Sequence, residues 1–223
     1  TRYWRDWSSD VCSSDLKQIR LDHFGPVTFK QLVSATRREL KKNNFDVVLK
    51  TKKDKNLEIN RFYIHAFYDA EDDKENEIPI EINVYYNFDS VNYFSKPQVT
   101  EFLIEIFDAI LHEYKHRSQS SKRNFKTYFQ NQADYKGYLQ DPDEIDAYAF
   151  SIAIDLLRYW PKYKAQRYMS RITVMSKMRH NLHYISPTLQ MYVHTFGFCS
   201  VTKCLAKKIY KQLQVLDKDS IFV

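Results

Sequence analysis

Residues 97–116 read PQVTEFLIEIFDAILHEYKH, and this stretch decides how the fold is organised. Its apolar side chains recur every three or four residues, as at Phe102 and Ile106, which predicts one long amphipathic helix. Pro97 suits the first turn of that helix, because proline lacks the N–H that this turn leaves without a helical partner. The apolar face then runs into the polar motif HEYKH at 112–116.

This motif places two histidines where a helix can present both to one metal ion. His112 and His116 are four residues apart, so their side chains lie one above the other on the helix. Two imidazoles in that position can reach one Zn²⁺ at about 2.0–2.1 Å. Glu113 follows the first histidine and can reach a metal-bound water, whose pKa zinc lowers to about 7. The spacing predicts zinc ligands at His112 and His116 and a general base at Glu113.

A catalytic zinc ion commonly has three protein ligands and one water, so a third ligand is needed. Residues 141–150, DPDEIDAYAF, begin another predicted helix, and Glu144 lies 28 residues beyond His116. Glu144 shares a helix face with Ala147, whose small side chain would allow close helix packing. We expect Glu144 to be the third ligand, with Asp141 as the alternative. The simpler interpretation of Glu144 is an acid that stabilises the N-terminal end of a helix dipole.

Hydrolysis of a peptide bond also needs a donor for the oxygen of the tetrahedral intermediate. Four side chains are candidates on sequence grounds: His180, His183, Tyr138 and Tyr148. We expect His183 or Tyr148 to fill this role, while exposed histidines in a basic segment are the simpler interpretation of His180 and His183.

Residues 106–157 resemble gluzincin-type metallopeptidases. The resemblance is greatest to the small phage- and plasmid-encoded HExxH proteins and to the ImmA/IrrE-like peptidases, in which a helix with E-x-x-A follows the HExxH helix. Glu144 and Ala147 match that second motif. The resemblance covers about a quarter of the chain. It implies a zinc cofactor held by the two motif histidines and Glu144, with Glu113 as the base, and a protein or peptide substrate.

The region before the long helix contains strand patterns. Residues 57–68 and 78–88 alternate apolar and polar side chains around an acidic loop at 69–77, which predicts a β-hairpin. Pro79 indicates an edge position for the second strand, since proline cannot donate to a sheet ladder. The β-branched run at 45–50 predicts another short strand.

Helices account for most of the remaining chain. Thr28 followed by Gln31 is typical of a capping box, which predicts a helix beginning after Thr28. Two more helices are predicted near 187–194 and 200–216. The pattern therefore predicts an α+β fold: a small zincin-like domain with a short antiparallel sheet beside the HExxH helix and a helical C-terminal part. We expect one domain over 17–223.

The first sixteen residues differ from the rest of the chain. Residues 6–16, DWSSDVCSSDL, resemble the in-frame translation of a common short-read sequencing adapter. We therefore expect residues 1–16 to be a non-native artefact, the native chain to begin upstream of Lys17, and the source to be metagenomic.

Composition excludes several classes of protein. The chain has 223 residues, is 43% hydrophobic and carries a net charge of +6, which argues against disorder. It has no apolar stretch of about 18 residues and no signal-peptide pattern, so we expect no membrane segment and no secretion. Three cysteines cannot build a disulfide framework, and we expect Cys199 and Cys204 to be buried thiols. These features favour the cytoplasm of a host cell, or a virion.

The positive charge is concentrated near the C-terminal end. Residues 156–216 contain eleven Lys or Arg and no Asp or Glu, with aromatic residues between them. Such a surface attracts polyanions. The alternative hypothesis is therefore a nucleic-acid-binding or virion protein whose zinc site is structural or vestigial, with the contact made by residues of about 158–216. A solvated basic face is the simpler interpretation.

Overall fold

The computed structural model describes most of the chain as helices and strands in two compact units. The described residues are 27–70, 73, 78–88, 93–125, 134–172 and 186–216. They contain seven helices and five strands, so the predicted α+β class is confirmed. The suspected artefact at 1–16 lies outside the described residues, and the assignment of 17–223 to one domain stays a prediction.

The first unit opens with a strand and a capped helix. Strand β1 (Val27–Thr28) leads directly into helix α1 (Phe29–Lys42). The Thr28 hydroxyl accepts a hydrogen bond from the Gln31 N–H at 3.3 Å, and the Gln31 side-chain oxygen accepts one from the Thr28 N–H at 2.9 Å. This reciprocal pair confirms the predicted capping box.

Three strands form a mixed sheet in this unit. They are β2 (Val47–Lys53), β3 (Phe62–Phe67) and β4 (Ile80–Tyr86), in the order β2-β4-β3. Strands β3 and β4 pair antiparallel, as the predicted hairpin requires, but β2 runs parallel to β4. The prediction of a purely antiparallel sheet is therefore wrong.

The edge position predicted for β4 is also wrong, because β4 is the central strand. Pro79 precedes the first paired residue, so its missing N–H falls outside the ladder. The ladder begins one residue later, where the Ile80 N–H donates to the Asp46 carbonyl at 3.0 Å. A proline at position 79 therefore removes no hydrogen bond from the sheet.

Helix α2 covers one face of the sheet. It runs over Lys96–Lys122, after the short strand β5 (Tyr93–Phe94), which pairs with β1. Pro97 lies in its first turn as predicted, and the Gln98 side-chain oxygen accepts a hydrogen bond from the Ser95 N–H. The buried stripe of α2 packs against β3 and β4. Its members are Val99, Phe102, Leu103, Ile106, Phe107, Ile110 and Leu111.

The core of this unit is rich in aromatic rings. Phe29 of α1 lies 4.3 Å from the Tyr86 ring and meets Phe102 of α2 edge-on at 6.1 Å between centroids. Each such ring stabilises the fold by about 1.5–3 kcal/mol through burial alone. Helix α1, the three-stranded sheet and helix α2, which bears the two histidines, are therefore held together by one cluster of aromatic side chains.

The second unit is entirely helical within the described residues, which confirms the predicted helical C-terminal part. Its helices are α3 (Tyr135–Gln140), α4 (Pro142–Tyr159), α5 (Lys162–Ile172), α6 (Pro187–Phe196) and α7 (Ser200–Val215). Helix α4 packs against α7, and the Tyr192 hydroxyl of α6 donates to the Leu139 carbonyl at 3.0 Å. In the described part of the chain, none of the helices combines the length and apolarity that crossing a bilayer requires.

The prediction that Cys199 and Cys204 are buried is wrong. Cys204 is exposed and Cys199 is half-buried, and both are free thiols. Cys199 precedes α7 as its N-cap. Burial raises the pKa of its thiol, but the hydrogen bonds from Thr202 and Val201 together outweigh burial and lower that pKa below its usual value.

Candidate metal centre

The two motif histidines lie on one turn of α2, where the apolar stripe ends. His112 continues that stripe and is only 8% exposed, whereas His116, one turn later, is partly exposed. Their Nε2 atoms are 3.0 Å apart and the rings are nearly perpendicular, at 81°. The structure thus brings both predicted ligands together with the same ring nitrogens facing each other.

This geometry fits a shared metal ion. Two nitrogens that each lie about 2.0–2.1 Å from a tetrahedral ion are about 3.3–3.4 Å apart. The observed separation of 3.0 Å differs from that by a few tenths of an ångström. A small rotation of either ring would give the full spacing without moving the helix.

Gln119 fixes the orientation of the second histidine. Its side-chain oxygen lies 2.9 Å from Nδ1 of His116, one helical turn further along. When Nδ1 donates its proton to Gln119, the Nε2 lone pair of His116 is left available to a metal. Metal-binding histidines are commonly held by such a second hydrogen bond. Sequence reasoning missed Gln119, although its spacing of three residues from His116 was a usable signal.

Glu113 occupies the position that the motif predicts for the base. It lies on α2 directly after His112 and is partly buried. A carboxylate that is neither fully buried nor fully exposed can exchange protons with a water molecule held nearby.

A buried ion pair holds the histidine turn against the sheet. Arg117 donates to both carboxylate oxygens of Asp73, at 3.1 and 2.7 Å, and also to Asp46. The Tyr68 hydroxyl donates to Asp73 as well, at 2.8 Å. Burial, reinforced by Asp73, raises the pKa of Tyr68 well above its usual value, so it stays a donor.

A second contact also ties this turn to Asp46. The Tyr114 hydroxyl accepts a hydrogen bond from the Asp46 N–H at 3.1 Å. Burial raises the pKa of Tyr114 to about 12. Tyr114 and Arg117 therefore both reach the start of β2, and the residues between them include His116. Nothing in the sequence identifies these partners, since they lie 44 to 71 residues away along the chain.

Glu144 is placed by the first turn of α4, in the second unit. Asp141 is the N-cap, and its carboxylate accepts a hydrogen bond from the Asp143 N–H at 2.8 Å. Asp141 is thus engaged at the helix terminus. Ala147, one turn after Glu144, is fully buried.

One tyrosine contacts the Glu144 carboxylate directly. The Tyr138 hydroxyl donates to Glu144 and is also hydrogen-bonded to Tyr148. Burial, together with these two neighbours, raises the pKa of Tyr138 far above its usual value. Tyr138 therefore remains a neutral hydrogen-bond donor at physiological pH.

The four candidate hydrogen-bond donors for the tetrahedral intermediate differ in their surroundings and in whether the structure describes them. Tyr148 is partly buried on α4, in contact with the ring of Tyr192 at 5.5 Å between centroids. Tyr138 is committed to Glu144, which makes it a positioning group. His180 and His183 lie outside the described residues.

A comparison with protein-family models, with curated proteins and with solved structures finds no match to this chain.

Proposed function

We propose that this protein is a zinc-dependent endopeptidase. The observation that carries the proposal is the pair of imidazole Nε2 atoms 3.0 Å apart on one turn of α2, with Glu113 beside the first histidine. A metal ion shared by two histidines needs one nitrogen of each ring turned toward the same point, and the facing Nε2 atoms meet that condition.

We further propose that Glu144 completes the ligand set. Two imidazoles and one carboxylate are a donor set found at catalytic zinc, which keeps one position open for water. Zinc bound by His112, His116 and Glu144 would polarise the scissile carbonyl and lower the pKa of a water to about 7. The hydrogen bond from Tyr138 would hold the Glu144 carboxylate in one orientation.

The remaining chemistry belongs to side chains of this protein. Glu113 accepts a proton from the attacking water at its carboxylate and passes it to the leaving amine nitrogen. Tyr148 donates a hydrogen bond from its hydroxyl to the oxygen that becomes negative in the tetrahedral intermediate. His183 is the alternative donor.

The substrate class proposed is a protein or an unstructured peptide, and the place of action is the cytoplasm of a cell or a virion. The free thiols of Cys199 and Cys204 suit a reducing compartment.

The decisive experiment replaces Glu113. Glu113→Gln keeps the size of the side chain and its hydrogen bonding but removes the proton acceptor. General base catalysis contributes about 10²–10⁴-fold, so hydrolysis of an unfolded protein substrate should fall by that factor while zinc content stays the same. The chelated wild type provides the fully inactive reference.

Glu105→Gln is the matched control, because it makes the same chemical change two turns earlier on the same helix. Its activity should equal that of the wild type. Equal hydrolysis by Glu113→Gln and the wild type would contradict the peptidase mechanism, even in a protein that contains zinc.

The ligand set is tested by elemental analysis. About one zinc per chain is expected in the wild type, with loss in His112→Ala and Glu144→Ala. Full zinc in Glu144→Ala would overturn the assignment of the third ligand.

A further inference from the structure

The helices α5 and α7 each expose a basic face. On α5, Ala165 and Met169 are buried, and the opposite face exposes four large polar side chains. With 3.6 residues per turn these four fall within about 100° of the helix circumference. They are Tyr163, Lys164, Arg167 and Arg171.

Helix α7 repeats this arrangement. Leu205, Ile209 and Leu213 are fully buried along one side. Lys203, Lys207 and Lys211 are exposed along the other, at a spacing of four residues. They therefore form a row of positive charges about 6 Å apart along the helix axis.

Direct bonds join the two helices. The Lys162 ammonium of α5 donates to the Gln214 carbonyl of α7 at 2.9 Å, and the Gln166 side chain donates to the Leu213 carbonyl at 3.3 Å. The two basic faces thus belong to one packed pair of helices, which we call the basic helix pair.

The charge of the basic helix pair is not balanced locally. Within the described part of the chain, two cations of this region have acidic partners: Arg158 contacts Asp155 at 3.0 Å and Lys208 contacts Asp146 at 3.4 Å. In the same described residues, no carboxylate forms an ion pair with Arg167, Arg171 or the three lysines of the α7 row. Five cations therefore project into solvent.

The composition of this surface favours one kind of anion. A helix that binds a lipid surface needs an exposed apolar face, and the apolar faces of α5 and α7 are buried in the unit. An exposed tyrosine among the cations of α5, Tyr163 at 72%, suits stacking on bases or sugars. Arginine and lysine rows suit a regularly spaced chain of phosphates.

We propose that the basic helix pair binds the phosphate backbone of nucleic acid without sequence preference. None of the cations on this surface is a proposed zinc ligand or base, so the two functions can fail separately. Five phosphate contacts would give a slope of about −4.5 for the logarithm of affinity against the logarithm of salt concentration. Affinity should then fall roughly 500-fold between 50 and 200 mM NaCl.

The test measures fluorescence anisotropy of a labelled 20-base-pair DNA duplex with the full chain over that salt range. The variant Lys203→Gln with Lys207→Gln and Lys211→Gln removes the α7 row. It should flatten the salt slope by about 3 and weaken binding at 50 mM NaCl at least tenfold.

A charge-matched control places the same three Lys→Gln changes at Lys30, Lys41 and Lys52, which are exposed in the first unit. The control should keep the slope of the wild type, and thermal melting should show that both variants fold. Equal losses in the two variants, or no binding of the wild type at 50 mM NaCl, would overturn the proposal. Tighter binding to vesicles of phosphatidylserine and phosphatidylcholine than to DNA would overturn it in favour of a membrane surface.

Discussion

Replacing Arg117 should destabilise the unit that carries the two histidines. Asp73 is only 4% exposed at its side chain, and it accepts two hydrogen bonds from Arg117 and one from Tyr68. Arg117→Met keeps most of the aliphatic length but leaves a buried carboxylate without its cation. Breaking a buried ion pair in this way costs about 3–5 kcal/mol. For a chain of this size the melting temperature should fall by about 6–20 °C.

Lys50→Met provides the control, since the pair that Lys50 forms with Glu81 is largely exposed, at 56% and 34%. Exposed pairs contribute about 0–1 kcal/mol, so this variant should melt within about 4 °C of the wild type. Urea unfolding, followed by tyrosine fluorescence and circular dichroism, measures the free energy of unfolding of both variants. If Arg117→Met and Lys50→Met lose equal stability, the buried pair does not hold the histidine turn.

Two further predictions follow from the contacts of single side chains. Tyr138→Phe removes the hydroxyl that donates to Glu144. Zinc affinity, measured by competition with a chelator, should therefore fall about 10–100-fold while the fold is retained. Unchanged affinity would show that Glu144 needs no positioning group, and Tyr163→Phe is the control. Desolvation of its carboxylate by neighbouring side chains, and then the carboxylates of Glu101 and Asp108, raise the pKa of Glu105 to about 7, although the residue as a whole is exposed. The folded state therefore loses stability as pH rises from about 4.5 through 7. Glu105→Gln should therefore melt higher than the wild type at pH 8 and equally at pH 4, with solvent contact limiting the gain to about 1 kcal/mol, and an equal difference at both pH values would contradict the shift.

Local patterns predicted the helices well. The capping box at Thr28 and Gln31 and the proline in the first turn of α2 act over three or four residues, so neighbouring letters contain the necessary information. The two motif histidines are also only four residues apart on one helix, so their proximity could be predicted in the same way.

Pairing over longer distances was not predictable in this way. Alternation at 78–88 indicates a strand but says nothing about how many neighbours it has. Pro79 suggests an edge strand, although the ladder starts one residue later, in the central strand. The partners of Arg117 were equally hard to predict. Asp46 and Asp73 are two of the 28 acidic residues of the chain, and they lie 71 and 44 residues from Arg117. Whether Glu144 is a metal ligand stays a prediction.

The strand order has a consequence for synthesis of this protein on the ribosome. Strands β2 and β3 emerge first, yet within the described residues each pairs with β4 alone, and Val47 meets a partner 33 positions later, at Ile80. A nascent chain therefore holds two unpaired strand edges until residue 86 has left the exit tunnel, which is when such edges are most exposed to aggregation. Only then does α2 have a sheet to dock on, so the histidine turn becomes ordered after every strand of that sheet.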